Sequence, residues 1–426
     1  MNAHAPSPLS DFPSFPVVEA DHALAERHRP IFQLDEREPF KPVAIGYSVY
    51  RDTTKSVSSK FRIRPGSGTV VEYAIWYDWD IQHLYDLEHV WVHLDTDGAV
   101  IRIEASRHGA RLTMRRADGT LPLVGTRPEL FVEPGKHAHW AEPARMQAEA
   151  GVFVDAMCGS FAGEEGIHLS NLFSDAGLIG ASRFEIRLAR LFLKRTAFEP
   201  AWHFAPLAAA AEPELLPWAA LQSWIPQRFS ALTARLPATV PHLAAVLLDC
   251  GDTLVDESTE VKLPGTDVVV SGKLIPGADA MLQELATAGH RLALVADGPR
   301  ATFENLLGQH GLWSSFEAHI ISGDVGELKP SPRMFDAAFR ALGLSDGDRA
   351  RSVMVGNNLE RDILGANRFG LISIFLAWSL RRTHKPKNRR ERPRLTIKQI
   401  TQLPALLEKI ELALPATAVE AGEANV

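Results

Sequence analysis

The stretch Leu243-Ala-Ala-Val-Leu-Leu-Asp249-Cys-Gly-Asp252-Thr-Leu-Val-Asp-Glu257 decides the fold of the second half of the chain. A short, continuous apolar run stops abruptly at a Gly-containing acidic turn. That is the pattern of a strand buried on both faces, with a loop at its C-terminal end. The pattern recurs downstream at 291–296, 318–322, 352–355 and 371–376. Between these runs lie segments with helical spacing, at 278–288, 300–310, 332–342 and 360–369, followed by Gly289, Gly311, Gly343 and Gly370. Glycine just past a helix is the expected stop signal. Strand–helix alternation of this kind predicts an α/β doubly wound, Rossmann-like sheet with its site at the strand C-terminal ends.

The residues that follow each strand carry chemistry. They are Asp249-Cys-Gly251-Asp252, then Ala296-Asp297-Gly298, then Glu327-Leu-Lys329-Pro330, and finally Gly356-Asn357-Asn358-Leu-Glu-Arg-Asp362. Carboxylates, a lysine and tight glycine turns in one crevice suit phosphoryl transfer. A carboxylate can attack phosphorus and divide one hard step into two. Mg²⁺ is held through one or two carboxylates plus waters and phosphate oxygens, and Asp249 and Asp362 can provide them. Lys329 can neutralise the transferring group. Backbone N–H groups around Asp297 and Gly298, at a helix start, can hold phosphate oxygens.

With these residues in order, the region resembles the haloacid-dehalogenase-like (HAD) hydrolase superfamily. LLDCGDTLVDE looks like its first motif, LALVADG its second, ELKP its third and VMVGNNLERDILGAN its fourth. The resemblance implies a Mg²⁺-dependent hydrolase, with Asp249 as nucleophile and an aspartyl-phosphate intermediate. Lys329 would stabilise charge. Asp249, the Gly251 carbonyl, Asn357 and Asp362 would lie around the metal. Three positions depart from the pattern. Gly251 replaces the usual acid/base Asp, with Asp252 next to it as a substitute. Ala296 replaces a phosphate-binding Ser or Thr, and Asn357 replaces an Asp. The intervals after the first and second motifs are too short for a cap domain, and VKLPGTDVVVSGKL (261–274) reads as a β flap. The expected substrate is phosphorylated, either a small molecule or a bulkier one at an open site.

The first half reads as β-rich, with runs at Val43–Tyr50, Thr69–Trp76, His89–Leu94 and Val100–Ser106. Within it, Asp78, Asp80, His83, Asp86 and Glu88 crowd together. Asp86 and Glu88, two apart, point to one face if they lie on a strand. Such a group is repulsive unless a cation holds it, and oxygen-rich ligation suits Ca²⁺, Mg²⁺ or Mn²⁺. Ser106-Arg-His108-Gly109 or His137-Ala-His139 can complete the set. The region resembles the necrosis-inducing-protein family and related vacuolar-sorting domains, which are β-sandwiches. The resemblance rests on His83-Leu-Tyr-Asp86-Leu-Glu88 and Ser106-Arg-His108-Gly109. It implies a divalent-metal site at His83, Asp86, Glu88 and Asp80 or Asp78, in a domain that shapes substrate access.

The expected organisation is a disordered leader at 1–20, a β-rich domain at 21–205 and a helical connector at 206–240. A HAD-like domain at 241–412 and a flexible tail at 413–426 follow. Net charge of −7 gives no global basic field for nucleic acid or anionic lipid. The basic stretch Arg381–Arg394 reads as a solvated loop before a final helix, with an anion clamp as the alternative. Two cysteines and no span of about 20 apolar residues point to a cytoplasmic protein without a membrane span. Two other functions remain open: a degenerate HAD domain acting as a binding module, and catalysis at the β-domain metal.

Overall fold

The computed structural model describes residue 12 and residues 15–168 and 172–415. These form two compact units. One comprises the described residues up to Ala181 together with Glu185–Val240, and the other comprises Ser182–Phe184 and Pro241–Pro415. The expected leader lies mostly outside the described residues, although a helix already begins at Glu19 (Glu19–Arg27). Of the expected tail, 413–415 are described, and the last helix is Leu403–Ala413.

The second unit is built on one six-stranded sheet. Its spatial order is Ala318–Ile321, Leu292–Ala296, Ala245–Leu248, Ser352–Gly356, Ile372–Leu376, Leu395–Ile397. Every neighbouring pair is parallel. In sequence terms this is 3-2-1-4-5-6, the doubly wound order, whose switch point falls between the first and fourth strands. The strands alternate between two cores. Val246 and Leu248 join one apolar cluster, whereas Ala245 and Leu247 join the other. That is what a period of two dictates when both faces are covered. Helices Ala278–Thr287, Arg300–Gly308 and Pro332–Ala341 fall where the periodicity places them. The fourth differs: it opens as a π-turn, Leu359–Ile363, before the α-helix Leu364–Phe369. A sixth strand, Leu395–Ile397, was hidden behind the basic stretch, because three residues are too few to show a period. The flap is a hairpin of Val255–Lys262 and Val269–Leu274.

The first unit contains two larger sheets. One runs Glu214–Pro217, Pro42–Tyr50, Thr69–Trp79, His83–Leu94, Val100–Arg107, Ala110–Thr113. The other runs His139–Trp140, Arg127–Val132, Ile31–Asp35, Phe204–Pro206. Leu34, Ile75, Val92 and Leu130 share one apolar core drawn from both sheets. The expectation of a β-sandwich therefore holds only in the coarser sense of a multi-sheet β-rich domain. Residues 206–240, expected as a helical connector that packs on either domain, belong to the first unit. They supply the Glu214–Pro217 strand and the helix Trp218–Thr239, both within this unit. That helix lies against Gly46, where an added Cβ would come within 2.9 Å of Leu221 Cδ2, so the close approach depends on a residue without a side chain. No helix among the described residues is long and apolar enough to cross a membrane.

Candidate active site

At the switch point of the second unit, Lys329 joins two carboxylates. Its Nζ lies 2.7 Å from Asp249 Oδ1 and 2.7 Å from Asp362 Oδ1, and it also donates to the Val295 carbonyl at 2.7 Å. The Lys329 and Asp362 side chains are 1% exposed and that of Asp249 is 14%, so the nucleophile candidate is the one solvent can reach. Burial disfavours the Lys329 charge, but Asp249, Asp362 and Asp297 outweigh it and hold the ammonium well above its ordinary pKa. Burial and the Asp249 charge together push the Asp362 carboxyl upward, against the pull of Lys329. Asp362 also accepts from Asn358 N at 2.9 Å. It reaches this place because Gly356 has no side chain; a Cβ there would collide with Asp362 Oδ2.

The oxygen-rich donors at this point fit Mg²⁺. Two carboxylates, the Gly251 carbonyl and the Asn357 amide are hard ligands of the kind Mg²⁺ takes alongside water and phosphate. Asn357 is buried, and its Nδ2 lacks a hydrogen-bond partner among the described residues. Since the two ends of an amide are nearly interchangeable, that orphan position can equally present the oxygen to a cation.

Three expected residues sit differently from the sequence reading. Asp252 is fully buried with a left-handed backbone (φ 50°). Arg381 grips it with two nitrogens, and it accepts from Glu257 N at 3.0 Å. These contacts make Asp252 an anchor for the root of the flap. Asp297 accepts from Lys329 N at 3.0 Å and from Arg361 at 3.3 Å. Gly298 N–H donates to Ser322 Oγ at 2.9 Å. It is therefore committed, and the expected phosphate cradle at 297–298 loses that donor. The basic stretch is only partly a solvated loop. Arg381 also reaches Asp256 at 2.7 Å, Arg382 reaches Glu257 at 3.1 Å, and Lys387 pairs with Glu360. Sequence reasoning missed Arg361, Arg381 and Arg382 here because their partners lie far away along the chain.

The acidic group of the first unit is brought together, but protein cations balance it. Asp78 is held by Arg228 at 2.6 and 3.0 Å. Asp80 pairs with Lys136 and accepts from Gln82 N and His83 N. His83 lies 3.4 Å from Asp80. Asp86 faces His137 at 3.4 Å, and His137 faces Glu38 at 3.7 Å on its other side. Glu88 accepts from Ser106 Oγ, and burial with the nearby Asp86 charge pushes its carboxyl up. His108 pairs instead with Glu133 at 3.0 Å. Among the described residues, no group of three or more His, Cys, Asp or Glu is arranged to hold a metal ion. The expectation of a second divalent cation is thus replaced by internal ion pairs. Lys136, His137, Arg228 and Glu38 supply the compensation that local spacing could not reveal.

This network predicts a pH profile. Burial opposes charge on both partners, yet Asp86 and Glu38 raise His137 from 6.5 to about 10, while His137 lowers Asp86 from 3.8 to about 2. The His137 contribution is complete below pH 6.5 and lost as pH rises towards 10. The Asp86 contribution is complete above pH 3.8 and lost as pH falls towards 2. The pair should stabilise the first unit most between these limits. Urea midpoints followed by tryptophan fluorescence should decline from neutral to alkaline pH, and a His137→Leu variant should lose that alkaline decline.

Residues 246–370 match the family model described as haloacid dehalogenase-like hydrolase. The chain is 38% identical over 109 residues to a phosphoserine phosphatase of Thermus thermophilus, covering 25% of this chain and 42% of that protein. It is 34% identical over 132 residues to N-acylneuraminate-9-phosphatase of Mus musculus, covering 31% and 51%. The chain spans about half the length of the curated relatives it matches. Among solved structures, a HAD phosphatase from Thermococcus onnurineus shares 25% identity, covering 32% of this chain and 58% of that chain, with a TM-score of 0.28. The match to the haloacid dehalogenase-like hydrolase family thus lies within the second of the two units of a longer chain.

Proposed function

We propose that the second unit hydrolyses phosphate monoesters of small molecules through an aspartyl-phosphate on Asp249. The observation that carries this reading is the Lys329 ammonium, 2.7 Å from both Asp249 and Asp362 at the switch point of the sheet. Asp249, the more exposed carboxylate, attacks phosphorus, and the ester oxygen leaves. Lys329, itself only 1% exposed, balances the negative charge of nucleophile and phosphoryl group. Asp362, Asn357 and the Gly251 carbonyl would hold Mg²⁺ together with Asp249. The metal would supply charge neutralisation and alignment of the phosphate oxygens. The phosphatase names carried by relatives at 34–38% identity support this reaction class.

Hydrolysis of an aryl phosphate with and without Mg²⁺ tests the reading. An aryl leaving group needs little acid assistance, so the absence of a side chain at Gly251 does not mask activity. Turnover that requires Mg²⁺ is expected. Phosphate binding without turnover of any ester would favour a binding module instead.

A further inference from the structure

Position 251, two residues after Asp249, has no side chain, yet the space beside it is filled. A Cβ built on Gly251 would overlap Glu257 Oε1 and lie 3.1 Å from the Glu257 carboxyl carbon. Glu257 comes from the first strand of the flap, Val255–Lys262. Both ends of this residue are fixed. Its N–H donates to Asp252 Oδ1 at 3.0 Å, and its two carboxylate oxygens accept from Arg382 at 3.1 and 3.3 Å. Arg381 holds the same root of the flap through Asp252 and Asp256. The Glu257 side chain nevertheless stays 29% exposed, so it is open to a bound substrate.

We propose that Glu257 is the general acid/base of this site, delivering from the flap the carboxyl group that residue 251 does not carry. The proposal rests on the phosphate-ester reading above. In the first step Asp249 Oδ bonds to phosphorus and the P–O bond to the leaving group breaks. The Glu257 carboxyl gives its proton to the departing oxygen, which leaves as the alcohol. In the second step water attacks the phosphorus of the aspartyl-phosphate. Glu257 takes the water proton, the P–O bond to Asp249 breaks, and inorganic phosphate departs. Both carboxyl groups end as they began. Arg382 acts as a positioning residue through Glu257.

A bland surface ion pair predicts something different. An exposed Glu–Arg pair contributes little to stability and nothing to rate. The test is the leaving-group dependence of Glu257→Gln in the full chain. Acid assistance is commonly worth about 10²–10⁴-fold and matters most when the leaving oxygen is basic. The variant should lose roughly 10²-fold or more on an alkyl phosphate and far less on a nitrophenyl phosphate, with the melting temperature unchanged. Moving the carboxyl group back should restore it: Gly251→Asp combined with Glu257→Ala should exceed Glu257→Ala alone on the alkyl substrate. Equal rates for wild type and Glu257→Gln on the alkyl ester would overturn the assignment, as would an equal loss on both esters. If wild-type hydrolysis itself persists in Asp249→Asn, the failure lies in the underlying phosphatase reading, and the role of Glu257 falls with it.

Discussion

Replacing Asp249 by Asn is expected to reduce phosphate-ester turnover by more than about 10⁴-fold, because the step it removes has no substitute. An amide oxygen cannot form the aspartyl-phosphate. Asp362 cannot take over, since its side chain is only 1% exposed and Lys329 covers it. The fold should tolerate the change. The amide keeps the shape of the carboxylate it replaces, and Lys329 retains Asp362 and the Val295 carbonyl as partners. Steady-state rates beside a thermal melt check both halves. A large rate loss with a melting temperature near wild type is the expected outcome, and an inactive, unfolded variant would mean that Asp249 is structural.

Lys329→Met should damage both stability and rate. The side chain keeps its length but loses the cation that pairs with both Asp249 and the buried Asp362. Removing one partner from a buried ionic group costs about 3–5 kcal/mol, since it leaves charge uncompensated. For a domain of this size that corresponds to a fall in melting temperature of roughly 10 °C. Rate should fall by at least about 10²-fold through lost electrostatic stabilisation. A melt and a rate on the same preparation separate the two effects. A Lys329→Met protein with wild-type stability would show that the ammonium does not bridge Asp249 and Asp362.

The α/β half was readable because its signals are local. Apolar runs such as 243–248 and the glycine stops at Gly343 and Gly370 mark strands and helix ends without knowledge of the partners. Asp249, Lys329 and Asp362 were equally legible, because each follows a strand and the topology brings strand ends together. The electrostatic partners were not. That Asp252 anchors a flap depends on Arg381, 129 residues away. Asp297 is likewise held by Arg361, from 64 residues away. In the first unit the sequence reading grouped Asp80, His83, Asp86 and Glu88. It took their mutual repulsion as a demand for a metal, whereas Lys136 and His137 already meet that demand. For residues 206–240 the sequence left open which domain the helix packs on, and Gly46, far away along the chain, is where it approaches closely.

Asp249 is the residue expected to carry the phosphoryl group during turnover. The most direct measurement is acid quenching of the full-length protein during turnover of an aryl phosphate, followed by peptide mass spectrometry under conditions that preserve acyl phosphates. A phosphoryl adduct on the peptide containing Asp249, present in wild type and missing in Asp249→Asn, is the predicted result. Sustained hydrolysis with no adduct on that peptide, continuing in the Asn variant, would contradict the account.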